Sequence, residues 1–128
     1  MTTASAKAKG RRAQQRLRDL LLAYDPGGMY QSVTMGTPGS DIVDPGERLP
    51  FTYVEVRCRE KYPSINAILE EMGTKAGRAW LYVFSRNNQE PLYLMNEKSF
   101  RRLFAAYATL RQENDYERST RKRNERLS

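Results

Sequence analysis

Three residues in the stretch 37–61 have the types and spacing to do chemistry: Asp41, Glu55 and Arg57. Asp41 follows the turn-like Pro38-Gly39, and Glu55 lies inside the run Phe51–Cys58. Alternation along that run sends Phe51, Tyr53, Glu55 and Arg57 to one face and Thr52, Val54, Val56 and Cys58 to the other. The second set reads as the core face. An acid within so apolar a strand costs free energy unless it is paired or binds a cation. If the strand at Asp41 neighbours the run Phe51–Cys58, both carboxylates meet on one face. Oxygen-rich clusters hold Mg²⁺ or Mn²⁺. Such an ion lowers the pKa of a water and stabilises charge on a phosphoryl transition state. Arg57 can contact a phosphate bidentately, but it stays protonated and is no general base. The same Glu55–Arg57 spacing also suits an ordinary surface ion pair on a strand.

Composition narrows the alternatives. Histidine is absent and Cys58 is the sole cysteine, which removes intrachain disulfides, thiolate zinc clusters and histidine-base chemistry. A catalytic site must use carboxylates, lysine, arginine, tyrosine or backbone. The formal charge of +7 favours a polyanionic partner, nucleic acid before an anionic membrane surface. Residues 1–18 carry six basic side chains and no acid, which places most of the excess at that end. No run is long enough to span a bilayer and the N-terminus lacks an apolar leader, so an intracellular protein is expected.

The elements that must position these residues follow from periodicity. At 128 residues, one domain with one modest core is expected. Residues 1–10 read as a flexible basic arm. Residues 11–24 form a helix with Leu17, Leu20, Leu21 and Tyr24 as its buried stripe, and Asp25-Pro26-Gly27-Gly28 ends it. Short strands are expected over 29–34 and 40–43, then the strand over 51–58. Ser64 caps a helix over 65–72 whose apolar stripe is Ile65, Ile68, Leu69 and Met72. Residues 79–84 and 91–95 form a hairpin around the polar turn 85–90. In the last helix Phe100, Leu103, Phe104, Tyr107 and Leu110 recur at helical spacing and should dock on the sheet. Residues 111–128 continue as a charged helix or tail. The order predicts an α/β domain on a mixed five-stranded sheet flanked by helices. Tyr24, Tyr82 and Tyr107 are assigned to the core or its rim, Tyr53 and Tyr62 to the neighbourhood of the site.

The motifs resemble the core of the PD-(D/E)xK nuclease superfamily, most closely the small Holliday-junction resolvases of bacteriophages. Gly39-Ser40-Asp41-Ile42 is similar to their Gly-Asp-Ile step, and Phe51–Arg59 to their Glu-x-Lys strand. Tyr62–Leu69 resembles the opening of their next helix, and Ala79–Met95 their closing hairpin. The match covers residues 11–110. It implies a restriction-endonuclease-like core and a Mg²⁺-dependent (or Mn²⁺-dependent) endodeoxyribonuclease that cuts branched double-stranded DNA as a homodimer, without a nucleotide cofactor or a membrane. Its setting would be the cytoplasm of an infected bacterial host. The resemblance implies a metal held by Asp41, Glu55 and the carbonyl of Val56, with Arg57 at the family's lysine. Gln15 falls at a glutamate of the first helix. Arginine keeps the charge of lysine without its proton chemistry, and glutamine brings no charge. Lys61 could take over the lysine role if the strand end curled back. Arg11, Arg12, Arg16, Arg59 and Lys61 are the expected phosphate contacts. The two departures from the pattern also allow a catalytically degenerate nuclease fold that binds DNA or serves a phage nucleoprotein assembly. The basic arms allow an RNA-binding protein.

Overall fold

In the computed structural model, residues 3–34, 36–75 and 77–127 are described. Residues 1 and 2 of the expected arm, and Met35 of the glycine-rich connection, lie outside them. The elements are α1 (Thr3–Tyr24), β1 (Gln31–Ser32), β2 (Ile42–Val43), β3 (Tyr53–Cys58), α2 (Ile65–Met72), β4 (Trp80–Ser85), β5 (Leu92–Met95) and α3 (Glu97–Leu127). This is a small α/β fold in which three helices flank a mixed sheet.

The sheet has three strands in the order β3-β4-β5, with β3 parallel to β4 and β4 antiparallel to β5. β1 and β2 form a separate antiparallel ribbon, so the single five-stranded sheet expected from the pattern is not formed. The reason is local. The Asp41 N–H donates to the Val54 carbonyl at 2.7 Å, which begins a ladder beside β3. Side chains then take over, because Val54 N–H donates to Ser40 Oγ at 2.9 Å and Val56 N–H to Asp41 Oδ2 at 2.7 Å. Gly39, at φ 104°, bends the chain into this approach, in a region that costs a side-chain-bearing residue dearly.

Both faces of β3 are covered. Val54 and Val56 pack with Leu17, Tyr30, Ile42, Leu81 and Val83, with Ala13 and Leu21 of α1 closing that layer. Tyr53 packs on the other face with Ile68, Met72, Trp80 and Tyr82. From Tyr53 to Cys58 the alternation is as read, but Phe51 precedes the strand and packs with Val54 and Val56 instead of beside Tyr53, and the face bearing Glu55 is a second core layer under α2. A helix reaching across two parallel strands necessarily covers one sheet face. Ser64 caps α2 as expected, its Oγ accepting from Ala67 N–H at 3.1 Å.

The helices depart from expectation at their ends. From Thr3 onward the expected flexible arm is already α1. Of α1's predicted stripe Leu17 is buried, whereas Leu20 and Tyr24 are exposed; on α2, Ile65 and Leu69 are exposed too. The largest difference is α3. Phe100, Leu103, Phe104, Tyr107 and Leu110 do not dock on the sheet and remain 41–55% exposed. Polar side chains fasten the helix instead. Asn96 Oδ1 accepts from Ser99 N–H at 3.1 Å, and buried Ser99 Oγ donates to the Trp80 carbonyl at 2.8 Å. Asn96 Nδ2 donates to the Arg78 carbonyl at 2.7 Å. Only the first turn is fixed, and the helix then runs clear of the sheet as far as Leu127.

Candidate active site

Asp41, Glu55 and Arg57 come together as the sequence predicts. Glu55 and Arg57 share the α2 face of β3, and the bond from Val56 N–H brings Asp41 alongside. Asp41 and Glu55 are both buried, at 8% and 6% exposure. The Arg57 guanidinium stands between them. It lies 3.6 Å from Asp41 Oδ2, pairs with Glu55 Oε1, and reaches Glu71 Oε1 on α2 at 2.6 Å. It also donates to the Val56 carbonyl at 3.2 Å. One guanidinium thus touches every oxygen donor that the resemblance implies for a metal.

Two members of this group carry no expected role in the site: Glu71, and Tyr82, which lies in the core as expected but turns its hydroxyl to Glu71. Tyr82 is opposite Glu55 in the parallel register, and its hydroxyl donates to Glu71 Oε2 at 2.9 Å. Strand parity gave the signal for Tyr82, because a neighbour of Glu55 in register shares its face. Glu71 adjoins buried Met72 and follows buried Ile68 by three residues, which sets it at the margin of the covered helix face. Tyr53 belongs here as expected, its hydroxyl donating to the Gly39 carbonyl at 3.1 Å.

Gln15 does not join the group. It lies half-buried on α1, whose Leu17 packs on the Val54–Val56 face, and no hydrogen bond or ion pair links it to Asp41, Glu55 or Arg57. The buried amide of α1 is Gln14. Lys61 is exposed in the connection to α2 and makes no ion pair with the carboxylates, so it does not replace Arg57. Arg11, Arg12, Arg16 and Arg59 are exposed.

Electrostatics follow from three acids facing one cation. Burial raises the Asp41 carboxyl above its ordinary range, against the Val56 N–H bond and the Arg57 charge, which lower it. Burial, then repulsion from Asp41, raises Glu55 as well. Arg57 loses hydration, but Glu55, Glu71 and Asp41 outweigh that loss and its pKa rises. Burial and the bond to Glu71 push the Tyr82 hydroxyl up to about 12. Asp41 and Glu55 therefore take up protons readily, or gain from a further cation.

Among the described residues no three His, Cys, Asp or Glu side chains form a metal cage. The donor set is instead two carboxylates and a backbone carbonyl, and all-oxygen donors suit a hard divalent cation. Arg57 shares those donors, and seating an ion requires the guanidinium to withdraw toward Glu71. The residues fit the ion in donor chemistry under that condition.

No family model, curated protein or solved structure matches the chain. Fold and site together define the class: an α/β protein with a buried acidic centre at the edge of a mixed sheet. No helix among the described residues is long and apolar enough to cross a membrane.

Proposed function

We propose that this chain is a metal-dependent, structure-selective DNA endonuclease that cleaves phosphodiesters in branched DNA, on a restriction-endonuclease-like core. The observation that carries the reading is the convergence of buried Asp41, buried Glu55 and the Val56 carbonyl on the Arg57 guanidinium. Mg²⁺ or Mn²⁺ bound by these three groups would supply Lewis acidity and an activated water. The chain's own contribution is positioning. Val56 N–H fixes the Asp41 carboxylate, and β3 fixes Glu55 one residue away. Arg57, tied by Glu71 on its outer side, is the donor fork for a phosphate oxygen. The setting is the cytoplasm of a phage-infected bacterial host.

A homodimer belongs to this reading, because cutting a four-way junction symmetrically takes two sites. The exposed stripe on α3 supports it. Three aromatics and two leucines at roughly half exposure present roughly 400–500 Å² of apolar surface, the size of the largest patch on a typical monomer, which is often functional. Phe100, Phe104 and Tyr107 already lie against one another along the stripe, with centroids 5.9 Å apart in each successive pair.

The test is cleavage of labelled four-way, flap and linear duplex DNA in Mg²⁺ or Mn²⁺ by wild type and Asp41→Asn. Junction-selective cleavage that disappears in the variant is expected. A wild type that binds junctions and leaves them intact overturns the reading. That outcome would favour the second one, a nuclease fold that only binds DNA, which the seat of Arg57 among the donors recommends.

A further inference from the structure

On the far side of the sheet from the carboxylates, a cleft opens between α1 and the β4–β5 turn. Its lining includes Lys9, Arg12 and Arg16 from α1 and Arg86, Asn87 and Asn88 from the turn. An adjoining pocket, sharing Lys9, Cys58 and Asn87, adds Arg59 and a single carboxylate, Glu60. The location follows from strand parity: Cys58 ends β3 on the face of Val54 and Val56, not that of Glu55 and Arg57.

Three cations of α1, Lys9, Arg12 and Arg16, line this cleft on the Val54–Val56 face, and Arg59 and Arg86 stand at its rim, against one acid. Among the described residues none of Lys9, Arg12, Arg16, Arg59 and Arg86 makes an ion pair, whereas Arg18, Arg48, Arg57 and Arg101 each do. Arg86 keeps its charge but turns its guanidinium from the cleft toward the Tyr62–Phe84 side of the sheet. Its Nε donates to the Glu60 carbonyl at 2.7 Å and its guanidinium lies over the Tyr62 ring at 5.1 Å. The row from Lys9 to Arg16 extends about 10 Å along α1 at ~1.5 Å per residue. Measured along a duplex axis, that length covers about three phosphates of one strand at ~3.4 Å per step. The amides of Asn87 and Asn88 add donors beside the row, where sugar and phosphate oxygens would pass.

We infer that this cleft is a second nucleic-acid backbone site, which grips a phosphodiester segment other than the one presented to Asp41 and Glu55. Two backbone sites on opposite faces of one sheet cannot be served by a single straight strand. They suit nucleic acid whose segments diverge at a branch. The preference for a branch rests on the endonuclease reading; the grip on phosphate does not.

The test measures binding without cleavage, in EDTA, to a labelled four-way junction and to a linear duplex with the same arm sequence. Arg12→Ala/Arg16→Ala is expected to weaken junction binding at least tenfold and to flatten the salt dependence of log K by about two. Duplex binding should change less than threefold. Arg118→Ala/Lys122→Ala on α3, with the same charge loss, should leave the difference between junction and duplex intact. Junction affinity within twofold of wild type, or equal losses on both DNAs, overturns the inference. A second measurement needs no substitution. Cys58, the sole cysteine, lines both pockets and is half-exposed. Saturating junction should slow its alkylation at least fivefold, and inorganic phosphate should not; an unchanged rate in the saturated complex also overturns the inference. Wild type that cuts junctions, beside a cleft variant that binds them normally, removes the cleft alone. Lost binding in the variant, beside a wild type that never cuts, removes the endonuclease reading alone.

Discussion

Two assemblies in this chain are built from the same parts, carboxylate, guanidinium and tyrosine hydroxyl, and they behave oppositely. Between the end of α1 and the loop before β3, Arg48 holds Asp25 through two bonds of 2.6 Å, and Tyr30 donates to Asp25 at 2.6 Å. The Asp25 carboxyl falls to about 2, chiefly through the bond from Arg48. At β3 the Arg57 guanidinium serves Asp41, Glu55 and Glu71, and the two buried acids are raised instead. The difference is one of charge balance and water. One acid per cation at the surface is a clasp that leaves nothing wanting. Three acids on one cation, two of them buried, leave unmet negative charge, which repulsion and lost hydration make costly. A structural tie needs the first arrangement; a site that must recruit a cation needs the second.

The sharpest way to break the comparison is to equalise the two groups. Asp41→Asn and Glu55→Gln are each expected to lower junction cleavage by about 10³-fold, the scale of several kcal/mol of transition-state stabilisation. Neither should lower the thermal midpoint, because each removes surplus charge. Asp25→Asn should leave cleavage within twofold in the same assay and lower the midpoint slightly. Cleavage that survives in Asp41→Asn would make the two assemblies equivalent.

Arg57→Ala strips the centre of its cation. Breaking a buried pair costs roughly 3–5 kcal/mol, and partial solvation of Arg57 reduces that to about 2–4 kcal/mol. Urea unfolding should show this loss, and millimolar Mn²⁺ should restore a large part of it. The absence of any recovery would mean that the acids do not seek a metal.

The two groups should also leave opposite marks on stability against pH. Asp41 and Glu55 titrate above their ordinary 3.8 and 4.5 in the fold, so the native state holds protons that the unfolded chain releases. Their favourable contribution is complete below those ordinary values and is lost as pH rises through the raised folded ones. Asp25, depressed to about 2, contributes above 3.8 and loses that contribution as pH falls toward 2. Urea midpoints followed across pH should therefore flatten on the upper side in Glu55→Gln and on the acid side in Asp25→Asn. Interchanged effects would reverse the assignment. The smallest change is expected for Tyr82→Phe, which removes one bond to Glu71 at a cost of about 1 kcal/mol and leaves Mn²⁺ affinity unchanged in a calorimetric titration.

Much of this arrangement was legible because it is local. Alternation put Glu55 and Arg57 on one face of β3, and Ser64 marked the start of α2. What escaped depends on what lies opposite. A period reports that α3 has an apolar stripe, not that anything covers it, and there Asn96 and Ser99 made the attachment. The five-stranded sheet failed because Ser40 and Asp41 offer side-chain oxygens where a ladder offers carbonyls. Gln15 and Gln14 differ by one helical step, about 100° of rotation, which spacing alone does not resolve. Glu71 and Tyr82 required knowledge of the parallel register and of the crossover through α2, neither of which is written in any single element.

The bonds from Val54 and Val56 to Ser40 and Asp41 have a consequence for solubility. β3 is a border strand of its sheet, and outward N–H groups on such a border invite another chain to add a strand. Ser40 and Asp41 close two of those openings with side chains that offer no continuing ladder. The Asp41 carboxylate that faces Arg57 is also a guard against fibrous self-association, so the same residue protects the protein from its own copies.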